Sequence, residues 1–140
     1  MEIESLVTRA VLTVQAGDSL REAAVGMMER GVGSAVVLTD GKPSGIITDR
    51  DALRAIARGK DGGAMTVGDL ATGRLTTVPP SLEVLEAARI MRDKGFRHLV
   101  VVDDDGSLLG VFSMRDLVVG LLSERGLESD GMPSYPGQNG

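Results

Sequence analysis

Apolar and polar positions in this chain follow one schedule, run twice. A β-branched stretch, Val11 to Val14, is followed by Leu20, Ala23, Ala24, Met27 and Met28, at i, i+3, i+4, i+7 and i+8. That spacing predicts one apolar face of a helix starting after Ser19, and Ser19 with Glu22 has the form of a capping box. Gly31 stands where a helix-ending glycine belongs. The unbroken apolar run Ala35 to Leu38 then reads as a buried strand. Asp40-Gly41 signals a turn, so Gly45 to Ile47 should return as the second arm of a hairpin, and a second helix is expected from Thr48.

The same order recurs in Leu75 to Val78, Ala87-Ala88 with Met91, Gly95, Leu99 to Val102, Asp105-Gly106, Gly110 to Phe112 and a helix from Ser113. The offset between copies is constant up to the turn. It grows there by one residue, because Asp103-Asp104-Asp105-Gly106 replaces Thr39-Asp40-Gly41. The prediction is an α+β fold of two tandem β-α-β-β-α repeats related by a pseudo-two-fold axis, so that a pocket formed between them should occur twice. The first repeat and its connecting linker take residues 1–63, with Gly59-Lys60-Asp61-Gly62-Gly63 expected to be a flexible link. The second takes 64–126. The tail 127–140, rich in Gly, Pro and Ser, has little to bury and is expected to be disordered.

With 42% hydrophobic but 2% aromatic residues, the core must be aliphatic, built from Val, Leu, Ile, Ala and Met. A net charge of −5 argues against a nucleic-acid partner, although local basic groups could hold one small phosphate. The absence of cysteine excludes disulfides, thiol catalysis and Cys-based metal sites. No apolar run is long enough to cross a bilayer, and the acidic start is unlike a signal peptide, so a cytoplasmic protein with no membrane partner is expected. The last helix is apolar around most of its girth through Met114, Leu117, Val118, Val119, Leu121 and Leu122. Such a helix must be covered on more than one side, most economically by a second copy of the chain, which predicts a homodimer. Its counterpart, with Arg50, Arg54 and Arg58, reads as more soluble.

The sharpest motif is Gly-apolar-apolar-Thr/Ser-x-Arg-Asp at the start of the second helix of both repeats. Helix capping alone accounts for it: Thr48 or Ser113 accepts a backbone N–H, while Asp51 or Asp116 reaches back and suits the positive helix end. Asp103-Asp104-Asp105 is explained as a solvated turn better than as a metal site, since a hard cation needs about six oxygens. Met27 and Met28 fit the core. Phe96 could lie against a purine or fill the core. His98, the one histidine, has no partners at catalytic spacing.

The ordered set of motifs resembles the tandem cystathionine-β-synthase-type (CBS) domain pair, or Bateman module, as a stand-alone bacterial-type protein. The resemblance covers about residues 3 to 124. It is carried by Leu-x-Thr-x-x-Val-x-Thr-Val from Leu6, the Glu-Ala-Ala-x-x-Met helices, Phe96-Arg97-His98-Leu99-Val100-Val101-Val102-Asp103, and Gly-Val-Phe-Ser-Met-Arg-Asp-Leu from Gly110. It implies two clefts for an adenine nucleotide (AMP, ADP or ATP) or a related compound such as S-adenosylmethionine, with no required cofactor. By resemblance, Asp51 and Asp116 would take the ribose hydroxyls, Thr48 and Ser113 would lie near phosphate, and Ile46 and Val111 would touch adenine. Thr72 and Phe96 would complete the Thr48 cleft; Thr8 and Val32 would complete the Ser113 cleft. The chemistry agrees, because a carboxylate can accept two hydroxyls and a helix N-terminus attracts phosphate.

Arg97 and His98 stand where some family members contact phosphate, and an Arg fork suits phosphate oxygens. Both also read as polar residues opening a strand, the favoured reading for His98. The first repeat has Gly33-Ser34 there, so the Ser113 and Asp116 cleft is expected to bind better. No nucleophile and base pair, P-loop or metal cage supports an enzyme. The expectation is a non-enzymatic adenosine-nucleotide sensor. Nothing outside the repeats is long enough to fold, so its output should pass to an unidentified effector protein, or it should act by sequestering its ligand. The alternative is a ligand-free dimerisation or interaction module.

Overall fold

The computed structural model describes residues 1–71 and 75–124. Thr72 and the tail expected to be disordered lie outside the described residues. Each repeat forms a three-stranded sheet, and the order of elements is the one the pattern predicts. In the first, β1 (Thr13–Gln15) runs parallel to β2 (Ser34–Thr39), which pairs antiparallel with β3 (Lys42–Thr48). Parallel neighbours need a crossover, supplied by α1 (Leu20–Arg30), and α2 (Asp49–Ala57) follows β3. After a short α3 (Val67–Ala71), the second repeat has β4 (Thr77–Val78), α4 (Val84–Lys94), β5 (His98–Val102), β6 (Leu108–Ser113) and α5 (Met114–Glu124), paired in the same way.

The local signals act as expected. The Ser19 hydroxyl accepts from the Glu22 N–H at 3.1 Å, one half of the capping box. Gly31 (φ 65°) and Gly95 (φ 69°) close α1 and α4 in the left-handed conformation that favours glycine. Asp103 and Asp105 spend their carboxylates on the turn, both accepting from the Ser107 N–H at 3.0 and 2.9 Å. Two strands are shorter than the apolar stretches that predict them, because Val11 and Leu75 leave the ladder and pack between the sheets. The glycine-rich link touches the start of α1: the Arg21 N–H donates to the Gly62 carbonyl at 3.0 Å, and Arg21 pairs with Asp61 at 3.5 Å.

One feature of the packing has no signature in the periodicity. Each repeat's opening segment belongs to the other repeat's core. A 3-10 helix at Ile3–Leu6 packs with α4 and α5, and Ile3 is fully buried among Val84, Met91, Phe112 and Leu117. In the converse exchange, Val67 and Ala71 of α3 enter the cluster of Leu20, Met27, Val37 and Ile47. A third cluster, Val36, Val100 and Val111, joins the two sheets. Two glycines make the exchange possible. A Cβ on Gly45 would come within 2.9 Å of the Ala71 carbonyl oxygen, and one on Gly110 would overlap the Thr8 carbonyl. The glycine that opens the Gly-apolar-apolar-Thr/Ser motif is therefore needed for close backbone approach.

The last helix is covered on one side by α4 and the 3-10 helix, burying Leu117 and Gly120, while Met114 and Val118 stay exposed. The most exposed large apolar side chains lie elsewhere, on α1 and α2: Ile56 at 70%, Leu53 at 67% and Met28 at 83%, so that Met27 is in the core as expected but Met28 is not.

Candidate functional site

Both cap motifs form as the residue types require. The Asp51 Oδ2 accepts from the Thr48 N–H at 2.9 Å and from its hydroxyl at 3.0 Å, while the Asp51 N–H donates to the Thr48 Oγ1 at 3.3 Å. Asp116 and Ser113 repeat the arrangement at 2.8, 2.9 and 3.2 Å. The two then diverge. Arg54 donates to the second oxygen of Asp51 at 3.3 Å, and Asp51 is 6% exposed. Asp116 has Val119 at the position of Arg54 and is half-buried.

A cleft of about 690 Å³ opens over the first cap, within the range of small-molecule sites. Its walls come from both repeats. Ile46, Thr48, Asp49, Arg50, Asp51, Leu53 and Arg54 supply one, and residues 94 to 98, from Lys94 to His98, supply the other. The Lys94 ammonium stands 5.9 Å from the centre of the Phe96 ring, a cation–π contact. Burial pushes the His98 imidazole below its ordinary value; Asp49 opposes that push, Arg97 adds to it and Asp116 opposes it. His98 is therefore neutral at pH 7, and it senses carboxylates from both repeats.

The chain matches known proteins in sequence and fold. The family model for the CBS domain matches residues 3–58 and again 67–123. The chain belongs to the CBS domain family. A CBS domain protein from Pyrobaculum aerophilum, solved in complex with AMP, superposes with a TM-score of 0.80 at 30% identity, covering 90% of this chain and 99% of that one. Protein YhcV of Bacillus subtilis, a CBS domain-containing protein, is 32% identical over 122 residues, which are 86% of each chain. Protein CBSX3 of Arabidopsis thaliana, of the same description, is 35% identical over 124 residues, 84% of this chain and 60% of that one. The chain spans about three fifths of the length of CBSX3 and of a relative from Methanopyrus kandleri.

Within this CBS pair, the structure brings Ile46, Thr48, Asp51, Phe96, Arg97 and His98 into one cleft. On the other side, Thr8 and Val111 exchange two backbone hydrogen bonds, at 3.0 and 2.9 Å, two residues before Ser113. Val111 is buried in the cluster between the sheets, whereas its counterpart Ile46, partly buried against the same cluster, also lines the cleft. Val32 is exposed just after the left-handed Gly31. Thr72 lies outside the described residues.

The expected ranking of the clefts rests on Arg97 and His98, and both line the cleft over the first cap. Arg97 and His98 face Thr48 and Asp51, so the basic groups belong to that cleft; Gly33, the counterpart of Arg97, instead lies against Asp49. The physical reason is local. The Arg97 carbonyl caps its own repeat's helix by accepting from the Met114 N–H at 2.9 Å, and the side chain is left to the opposite repeat. Sequence reasoning also passed over Arg50, Arg54 and Lys94, which line the cleft rather than only solubilising a helix. The available signal was the spacing of Arg50 and Arg54, one helical turn apart beside the cap. Among the described residues, no three His, Cys, Asp or Glu side chains gather as a metal site, and no helix is long and apolar enough to cross a membrane.

Proposed function

We propose that this CBS pair is a non-enzymatic regulatory module that binds an adenosyl ligand, an adenine nucleotide in the first instance, in the Thr48 and Asp51 cleft. The observation that carries the reading is the cleft itself: a carboxylate fixed at a helix start, an apolar Ile46, an aromatic Phe96 and four cationic side chains around one space between the repeats. The AMP complex of the Pyrobaculum relative supports the ligand class. In this reading Asp51 accepts the ribose hydroxyls, Ile46 and Phe96 flank adenine, and the start of α2 with Arg97 receives phosphate. The Ser113 and Asp116 side, with Val111 buried and the uncharged Gly33 at the position of Arg97, is the weaker site.

Binding biases an equilibrium only if the ligand contacts two conformers differently. The conformers here are two relative settings of the repeats, or of two subunits, since both repeats touch the ligand. An effector protein, or further chain, reads the state. The exposed Met28, Leu53 and Ile56 support a homodimer formed through the apolar helix faces. They equally support the second reading, a ligand-free interaction module, because both caps are satisfied without a ligand.

Thermal unfolding with AMP, ADP, ATP and S-adenosylmethionine separates the two, since a ligand that binds only the folded state raises the midpoint. A rise that disappears in Asp51→Asn supports the sensor. Unchanged midpoints with all four compounds support the interaction module.

A further inference from the structure

We propose that the Thr48 and Asp51 cleft is tuned to ligand charge, taking adenosine polyphosphates ahead of AMP and rejecting a cationic adenosyl compound such as S-adenosylmethionine. This rests on the adenosyl reading of the cleft and adds the class of ligand within it. Four cations line the space, Arg50 and Arg54 on one wall and Lys94 and Arg97 on the other, against two carboxylates, Asp49 and Asp51. Arg54 is committed to Asp51 at 3.3 Å. Among the described residues, Arg50, Lys94 and Arg97 take part in no ion pair.

Three unpaired cations thus converge from two repeats in a chain whose net charge is −5. Gathering like charges costs free energy unless an anion joins them, and a cleft lined by one sign of charge concentrates the opposite one. A single phosphate offers few oxygens to two walls. A tail of two or three offers more charge and more acceptors, and guanidinium groups match phosphate oxygens well. A sulfonium centre meets the same field as repulsion, which is how a site discriminates against a wrong partner.

The equivalent positions show that this is not a by-product of the duplication. Across the duplication, the positions of Lys94, Arg97 and Arg54 are held by Arg30, Gly33 and Val119, while Arg115 holds that of Arg50, and Arg30 is turned onto the Val11 carbonyl at 3.4 Å. Arg97 and Arg54 have no charged counterpart, so the full set of four cations is particular to one cleft.

Calorimetric titration in magnesium-free buffer at fixed ionic strength tests this with ATP, ADP, AMP, S-adenosylmethionine and inorganic tripolyphosphate. The expected result is a Kd that falls about tenfold with each added phosphate from AMP to ATP, the low end for a charge-assisted hydrogen bond. S-adenosylmethionine should bind far more weakly than ATP, and tripolyphosphate more weakly than ATP. In the double variant Arg50→Gln and Arg97→Gln, ATP should fall to the affinity of AMP. Equal Kd values for ATP and AMP, or tighter binding of S-adenosylmethionine, overturn the charge selection and leave the adenosyl reading standing. Binding of tripolyphosphate as tight as ATP, or no binding of any adenosyl compound, overturns both.

Discussion

Replacing Gly110 by alanine tests the exchange of opening segments on which the cleft walls depend. The added Cβ would overlap the Thr8 carbonyl oxygen and the Val7 Cγ1, and the first of these is backbone, which cannot swing aside. Relief requires Thr8 to withdraw, breaking the paired hydrogen bonds with Val111 at 3.0 and 2.9 Å. Two hydrogen bonds at about 1 kcal/mol each, plus about 1–3 kcal/mol for overpacking, put the loss at about 3–5 kcal/mol. That is a large share of the 5–15 kcal/mol typical of a folded domain. Urea unfolding of Gly110→Ala should show the drop, and the Thr8 and Val111 amides should lose hydrogen-exchange protection. Gly17→Ala is the control, because its Cβ would meet nothing within 4 Å and should change stability by less than about 0.5 kcal/mol. A Gly110→Ala protein as stable as the parent, with Thr8 still protected, would refute the exchanged packing.

Three further outcomes are expected. Burial lowers the His98 pKa below its unfolded value of 6.5, so the unfolded chain binds the proton more readily; stability should fall as pH drops below 6.5, and His98→Gln should flatten that part of the urea-midpoint profile. Ser113→Ala removes the acceptor for the Asp116 N–H at 3.2 Å and should cost about 1 kcal/mol in the same assay. If the α1 and α2 face joins two copies, the double change Leu53→Asp and Ile56→Asp should halve the mass measured by light scattering without lowering the unfolding midpoint of the monomer, both side chains being exposed.

What the sequence made legible is local or periodic. The left-handed glycines at 31 and 95, the Asp-Gly turns, the buried strands and the Thr48 and Ser113 caps each rest on a few neighbouring residues, so pattern and structure agree. The exchanged segments are different in kind. Ile3 and Val67 are ordinary apolar residues in short runs, and only their long-range burial in the opposite repeat distinguishes them. The same limit applied to the site. Thr48, Asp51, Ile46, Phe96, Arg97 and His98 were readable as candidates from the family's motifs, yet the cleft that receives Arg97 depends on how the two repeats are packed. Duplication hides such differences, because it supplies equivalent positions but not equivalent surroundings: Val111 is buried between the sheets while Ile46 is only partly buried there and also lines the cleft.

A crystal structure of the protein grown with AMP tests the central claim most directly. The account predicts nucleotide density in the Thr48 and Asp51 cleft, with the ribose hydroxyls on the Asp51 carboxylate and the phosphate toward Arg97. Density confined to the Ser113 and Asp116 side, or an empty cleft at saturating AMP, would contradict it.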